Sequence, residues 1–366
     1  MTAATYDRFM DLALSLGRRG LGNVWPNPAV GCVVVKEGRV VGRGWTQPGG
    51  RPHAEVVALA QAGDTARGAT VFVTLEPCAH HGETPPCAEA LVAAGVARVV
   101  IALGDPDPRV NGQGAALLRN AGIDVVEGVR ANAARRDQAG FLSRVTRGRP
   151  FVTLKLAASL DGRIATASGE SQWITGPEAR RHVHALRMRH DAVMVGGGTA
   201  RADDPTLTVR DMGALRQPVR VVLSRHLDIP IESNLARTAH EVPLWLAHGD
   251  RAQPKTLDRW REVGADCFSV PVVQSALDLS AVMDALAERG VTRVFCEGGG
   301  GLAASLLSEG LVDEFVGFTA GVALGAEGWP SLAAMGVGRL AEAPRLDLIE
   351  TRVIGADVMH RWARRD

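Results

Sequence analysis

The feature that most constrains this 366-residue chain is a repeated alternation of short β-branched runs with stretches of helical spacing. Apolar residues recur at helical spacing over residues 6–16. A β-branched run at 30–35 then follows a turn punctuated by proline, asparagine and glycine. The same reading gives helices at 53–62, 87–94 and 113–120 and strands at 70–75, 96–103 and 123–126. Helix-strand alternation of this kind predicts a layered α/β domain. Residues 144–150 (RVTRGRP) have the composition of an exposed connection ahead of a new strand at 151–157. The pattern resumes beyond it, with a helix at 177–189 for which Thr175 is the expected cap, strands at 192–195, 219–224, 244–247 and 293–297, and helices at 257–263 and 279–289. Two different α/β domains are expected, residues 1–147 and 148–366, in line with a prior of about 150 residues per domain.

Composition narrows the functional classes. The chain has 41 Lys+Arg against 40 Asp+Glu, a formal charge of +1, so no broad basic field attracts nucleic acid, and a small-molecule partner is expected. Five cysteines form an odd set spread along the chain, which fits reduced thiols better than a secreted disulfide framework. The N-terminal stretch lacks the layout of a signal peptide, and no apolar run approaches the ~18 residues that span a bilayer. The expectation is a cytoplasmic protein without membrane attachment.

One constellation in the first half carries chemistry. His53 and Glu55 open a helix, Cys78 follows a strand, and Cys87 begins another helix. An imidazole and two thiolates suit Zn²⁺, and three protein ligands leave a fourth position open for water. Cys87, at a helix N-terminus, is expected to gain thiolate character from the helix dipole. Glu55 is then the proton shuttle, the non-ligand acid/base that accompanies such a site in zinc deaminases of nucleobases. Here eight residues separate the cysteines, where base-deaminating proteins usually have two. The alternatives are a structural zinc site, or two core cysteines and a helix-capping histidine that never meet. Cys32, Cys267 and Cys296 read as core residues, and His80 and His81 as loop residues facing solvent or substrate.

The second half offers a strand, the run Gly298 to Gly301 and a helix, a turn that lets phosphate approach backbone N–H groups. It completes neither a dinucleotide-fold nor a P-loop fingerprint, and glycine turns also arise for steric reasons.

Taken together, the segment from Val73 to Gly82 (VTLEPCAHHG), Thr84 to Cys87 (TPPC), Pro26-Asn27-Pro28 and Gly104-Asp105-Pro106 resemble the bifunctional deaminase/reductase family of riboflavin biosynthesis. In the second half Leu154-Lys155-Leu156, Ser159 to Arg163, Ser171 to Thr175, Gly198-Thr199, Ala202 to Pro205 and Leu207 to Arg210 extend the match over nearly the whole chain. The resemblance implies a cytidine-deaminase-like three-layer α/β/α domain followed by a dihydrofolate-reductase-like α/β domain. The implied reactions are zinc-dependent deamination of a diaminopyrimidinone ribosylamine phosphate and NADPH-dependent reduction of its ribosyl group. Carried over by position, Asn27 and Asp105 are implied to read the pyrimidine. Ala157, Trp173, Thr199, Asp203, Ser224, Gly299, Gly300, Gly301, Leu302, Ala303, Ala304 and Ser305 are implied NADPH contacts. Lys155, Ser171, Arg187, Leu207, Arg210 and Glu297 form the implied substrate pocket, with Arg187 and Arg210 suited to a sugar phosphate. A homo-oligomer is expected. In the first half three positions depart from the family pattern, Thr46 where His is common, Glu83 where Lys or Arg is, and Asp107 where Asn is; in the second half Gly321-Val322 replaces a common Pro-Lys pair. The competing readings are a zinc deaminase acting on a base in RNA or DNA, and a deaminase fused to a nucleotide-sensing module.

Overall fold

In the computed structural model, which describes residues 2–81, 85–214 and 216–365, the chain divides into two units, one ending at Arg149 and the other beginning at Pro150.

The first unit is organised by strand β1 (Gly31–Lys36), whose residues are buried almost throughout. A strand buried on both faces must be covered on both sides. Alternation then decides what covers it. Val33 and Val35 join Phe9, Met10 and Ala13 of helix α1 (Ala3–Gly17) on one face, whereas Cys32 and Val34 join Ala54 and Ala58 of α2 (Ala54–Ala62) and Leu91 of α3 (Cys87–Ala93) on the other. The sheet order is β2-β1-β3-β4-β5, with β2 (Arg39–Trp45) and β3 (Thr70–Val73) antiparallel to β1, and β4 (Arg98–Ile101) and β5 (Asp124–Glu127) parallel to β3. Helices α4 (Gln113–Asn120), α5 (Ala131–Asp137) and α6 (Ala139–Arg147) complete the three layers. Strand β2 was not anticipated, because Gly42 and Gly44 interrupt its β-branched run. Those glycines have a packing reason: a Cβ at either would lie 2.2 or 2.0 Å from the carbonyl oxygen of Ala58 or Ala54. Helix α2 therefore lies directly on β2, which fixes the height at which His53 and Glu55 stand over the sheet.

The expected exposed connection at 144–150 is corrected. Arg144 to Arg147 form the last turn of α6, and Gly148, at φ +72, ends it. Arg144 and Arg147 belong to an amphipathic helix whose other side buries Phe141, so polarity there marks a helix face, and only residues 148–150 connect.

The second unit is built on a nine-stranded sheet. Its strands are β6 (Phe151–Ser159), β8 (Ala192–Gly196), β9 (Val219–Leu223), β10 (Leu244–His248), β11 (Asp266–Ser269), β14 (Arg293–Cys296), β15 (Glu314–Ala320), β17 (Leu346–Ile354) and β18 (Asp357–Arg364), in the order β11-β10-β9-β8-β14-β6-β15-β18-β17. The seven from β11 to β15 are parallel, and β18 and β17 add an antiparallel edge. Two short pairs, β7 (Arg163–Ala165) with β16 (Trp329–Pro330) and β12 (Val272–Val273) with β13 (Ala276–Leu277), lie outside it. Its helices are α7 (Pro177–Arg187), α8 (Gly197–Asp203), α9 (Asn234–Arg237), α10 (Pro254–Glu262), α11 (Leu279–Glu288) and α12 (Gly300–Ser308). The cap expected at Thr175 is corrected: Gly176 is the N-cap, without a side-chain bond, and Pro177 occupies the first helical turn. Strands β11, β15, β17 and β18 are not among those expected from the sequence; β17 is exposed along most of its length and lacks the apolar alternation that marks a half-buried strand.

Candidate active site

In the first unit β3 ends just before the Glu76-Pro77-Cys78 turn, and α2 and α3 begin nearby. His53 is the N-cap of α2 but makes no side-chain cap bond, so its ring is available. Its Nδ1 lies 3.3 Å from Cys87 Sγ and 3.7 Å from Cys78 Sγ. With Zn–N near 2.05 Å and Zn–S near 2.3 Å, a tetrahedral angle sets nitrogen and sulfur about 3.6 Å apart. The three donors are already spaced for one zinc ion, and among the described residues they form the one such group. His81 instead approaches Glu89 at 3.5 Å on the surface, and His80 Nδ1 is buried without a hydrogen-bond partner among the described residues.

The electrostatics favour a metal-binding thiolate, with one change from expectation. The backbone N–H of Cys87, at the start of α3, donates to Cys78 Sγ at 3.2 Å. The helix N-terminus therefore acts on Cys78. The Cys87 thiol, then burial-opposing bonds from His53 and the Cys87 amide, pull Cys78 down to about 4, while the Cys87 thiol is pushed up by sharing its proton with Cys78 and by burial. Glu55, in the first turn of α2 and only 4% exposed, rises to about 7, chiefly through burial and then through the Cys78 charge, and it is hydrogen-bonded to Cys87. A carboxyl group in that range can both take and return a proton near neutral pH.

The surroundings of this cluster give the departures from the family pattern physical content. Asn27 Nδ2 donates to the Gly50 carbonyl at 3.1 Å, which fixes the orientation of its head group. Gly50 is required there: its φ is +90, and a Cβ would stand 2.0 Å from that nitrogen. Thr46 is buried, accepting from Val30 N–H and donating to the Pro28 carbonyl, both at 3.0 Å, so it braces the Asn27 loop. Asp105 is buried and pushed up to about 6 by desolvation. Asp107 is held below the usual carboxylate range by Arg109, which binds it through Nε at 2.9 Å and a terminal nitrogen at 2.6 Å. Arg109 was not singled out in the sequence, and it neutralises the acid that stands in place of Asn. Glu83 lies outside the described residues.

In the second unit Lys155, Arg187, Asp203 and Glu297 of the implied set lie near one another. Arg187 on α7 and Glu297 after β14 form a bidentate pair at 2.5 and 3.0 Å, and the third arm of Arg187 donates to the Thr208 carbonyl at 2.8 Å. Burial raises Glu297, but the charge and hydrogen bonds of Arg187, aided by Lys155, hold it below its ordinary range. Burial lowers Lys155 on β6, against the opposing charge of Glu297 and Asp203. Asp203 on α8 is raised by desolvation and lowered by Lys155, so these four groups share one electrostatic neighbourhood. Leu207 is buried at φ +54, whereas Arg210 is exposed, with a terminal nitrogen 2.7 Å from Thr206 Oγ1.

The glycine-rich turn divides by position. Gly299 is the N-cap of α12, and its N–H donates to Thr199 Oγ1 at 3.1 Å; Gly301 faces open space. Gly300 is buried, and a Cβ there would lie 2.8 Å from the Pro330 carbonyl oxygen, which gives it a packing reason. Ala303 and Ala304 point inward, Leu302 packs on Gly298, and Ser305 is exposed. Ser224 Oγ donates to Asp228 at 2.7 Å, Ala157 packs against the core, Ser171 is half-buried, and Trp173 is 67% exposed under the Arg180 guanidinium.

Comparison with known proteins places these features in one family. Residues 3–103 match the cytidine and deoxycytidylate deaminase zinc-binding region, and residues 150–360 match the RibD C-terminal domain. The riboflavin biosynthesis protein RibD of Escherichia coli K12 is 43% identical over 362 residues, covering 96% of this chain and 97% of that protein. That of Aquifex aeolicus is 39% identical over 351 residues, covering 96% of each. Among solved structures, Acinetobacter baumannii RibD superposes with a TM-score of 0.90 at 37% identity over the whole of both chains. The Thermotoga maritima diaminohydroxyphosphoribosylaminopyrimidine deaminase/5-amino-6-(5-phosphoribosylamino)uracil reductase gives 0.87 at 33%, again over both whole chains. No helix among the described residues is long and apolar enough to cross a membrane. Because the likeness runs through both units at once, the chain belongs to the RibD family, the bifunctional riboflavin-biosynthesis enzymes that join a zinc-dependent deaminase to an NADPH-dependent reductase.

Proposed function

We propose that residues 1–147 deaminate the 2-amino group of 2,5-diamino-6-(5-phosphoribosylamino)pyrimidin-4(3H)-one and that residues 148–366 then reduce the ribosyl group of the product to ribityl. The observation that carries the first step is the set of three donors within 4.8 Å of one another with a buried carboxyl group beside them. His53, Cys78 and Cys87 hold the zinc, which when bound acidifies water toward neutral pH. Glu55 takes the proton of the attacking water at the pyrimidine C2 and delivers it to the departing amine, which leaves as ammonia. Asn27 and Asp105 orient the ring. Asp105, with a pKa near 6, offers an acceptor or a donor edge according to its protonation.

In the second unit NADPH supplies the hydride, and the chain supplies orientation and a proton. Ala157, Trp173, Thr199, Asp203, Ser224 and the stretch from Gly299 to Ser305 hold the cofactor. The Gly301 backbone, open to its surroundings at the start of α12, suits its phosphates, while the Gly299 N–H is already bonded to Thr199. Lys155, its ammonium made more acidic by burial, donates to the ring oxygen of the opening sugar, while Arg187 keeps Glu297 ionised next to it. Arg210 binds the phosphate, and Ser171 and Leu207 complete the pocket. The enzyme acts in the cytoplasm on a small molecule, without nucleic acid. It works as a homo-oligomer, a reading supported by exposed Leu348, Ile349 and Val353 on edge strand β17. Glu55→Gln tests the first step: zinc content stays at the parental level, as does NADPH oxidation when the deaminated pyrimidine is supplied, and ammonia release falls at least ~100-fold. Full ammonia release from the zinc-loaded variant would refute the assignment.

A further inference from the structure

Glu76 has no part in the chemistry above, yet it is 6% exposed and its carboxylate is fully engaged. Oε2 accepts the backbone N–H groups of Gly112 at 3.0 Å and Asp105 at 3.3 Å, and Oε1 accepts that of Ala115 at 3.1 Å. Two of these donors belong to the opening of α4, whose N-terminus favours a negative partner. The contact is reinforced by the backbone. A Cβ on Gly114 would lie 2.0 Å from the Pro77 carbonyl oxygen, so α4 rests directly on the dipeptide that precedes Cys78. Glu76 N–H also donates to the Leu103 carbonyl at 2.9 Å. One residue thus joins two segments that chain order leaves about thirty residues apart: the turn that carries the metal ligand Cys78 and the loop that carries Asp105.

From this geometry we infer that Glu76 is a positioning residue for deamination, fixing Asp105 relative to Cys78 and thereby setting how the pyrimidine is held at the metal centre. The inference rests on the role given to Asp105 under Proposed function. Among the described residues Glu76 hydrogen-bonds to the backbone of Asp105, Gly112, Ala115 and Leu103 and to none of the three ligands or Glu55, so its loss acts on substrate placement while the groups that move protons stay put.

The test uses the full chain. Glu76→Gln keeps the shape but turns an NH₂ group toward N–H donors, which releases at least one side of the clamp. Zinc per chain, NADPH oxidation with the deaminated pyrimidine supplied directly, and kcat and KM for ammonia release from the diaminopyrimidine phosphate are measured on parent and variant. The expected result is full zinc, unchanged NADPH oxidation, a KM raised on the order of tenfold and a kcat within about threefold of the parent. An unchanged KM overturns the inference. So does loss of zinc, or a fall confined to kcat, since either would make Glu76 part of the metal centre itself. Should Glu76→Gln fail to fold, Glu76→Asp, which retains the charge on a shorter arm, is judged by the same criteria, and failure of both variants to fold assigns Glu76 to stability alone. A parent chain that releases no ammonia refutes the substrate reading, whereas an active parent with an unaffected variant refutes only the positioning role.

Discussion

Replacing Arg187 by leucine removes one member of an ion pair whose side chains are only 12% and 10% exposed. In the parent, Glu297 receives two hydrogen bonds from the guanidinium, and the Thr208 carbonyl receives a third. Stripping a buried carboxylate of its partner typically costs 3–5 kcal/mol, because the remaining charge has lost both its solvent and its counterion. Lys155 still faces Glu297, which places the expected loss at the lower end, about 3 kcal/mol. For a unit of this size that lowers the unfolding temperature by roughly 6–12 °C. Calorimetry of the full chain at pH 7 reads this as a shift of the second unit's transition with the first unit's unmoved. At that pH the effect is fully expressed: the Glu297 pKa is depressed in the folded state, so its contribution is present above the unfolded carboxylate range and is lost only as pH falls through the lower folded value. Replacing both residues by leucine removes the charges together and recovers most of the loss. The reasoning is refuted if Arg187→Leu alone loses less than about 1 kcal/mol, or if the double variant shows only the sum of the two single losses.

Two further outcomes follow from the same structure. His190 is buried between the Leu186 carbonyl and Thr153 Oγ1 and is pushed down to about 3 by desolvation, so the unfolded chain takes up a proton that the folded chain refuses. Stability from this group is present above about pH 6.5 and is lost as pH falls toward 3, by at most about 1.4 kcal/mol per pH unit; urea midpoints of His190→Gln should decline less between pH 6.5 and 4 than those of the parent, and equal slopes would contradict the assignment. Cys87→Ser should weaken zinc binding by more than about 100-fold and abolish ammonia release while NADPH oxidation continues on supplied deaminated pyrimidine, as metal analysis and the two assays will show. Retention of one tightly held zinc per chain in that variant would remove Cys87 from the ligand set.

Two things were legible in the residues alone: the three metal-capable donors, which the fold brings within 4.8 Å of one another, and the α/β layering. Both rest on side-chain chemistry expressed over a few residues: His53 two positions before Glu55, Cys78 and Cys87 bracketing a proline-rich loop, and β-branched runs alternating with helical spacing. Tertiary structure alone decided the partners. It gave the α3 N-terminal N–H to Cys78, turned Arg187 onto Glu297 across 110 residues, set Arg109 against Asp107, and joined Glu76 to the start of α4. It also revealed β2, whose glycines answer to the backbone of α2, and the exposed antiparallel edge of the second sheet. A hydrogen bond or ion pair depends on an approach of about 3 Å between groups brought together by sheet order and helix docking. Residue type restricts who can pair, and only the packed layers choose among the candidates.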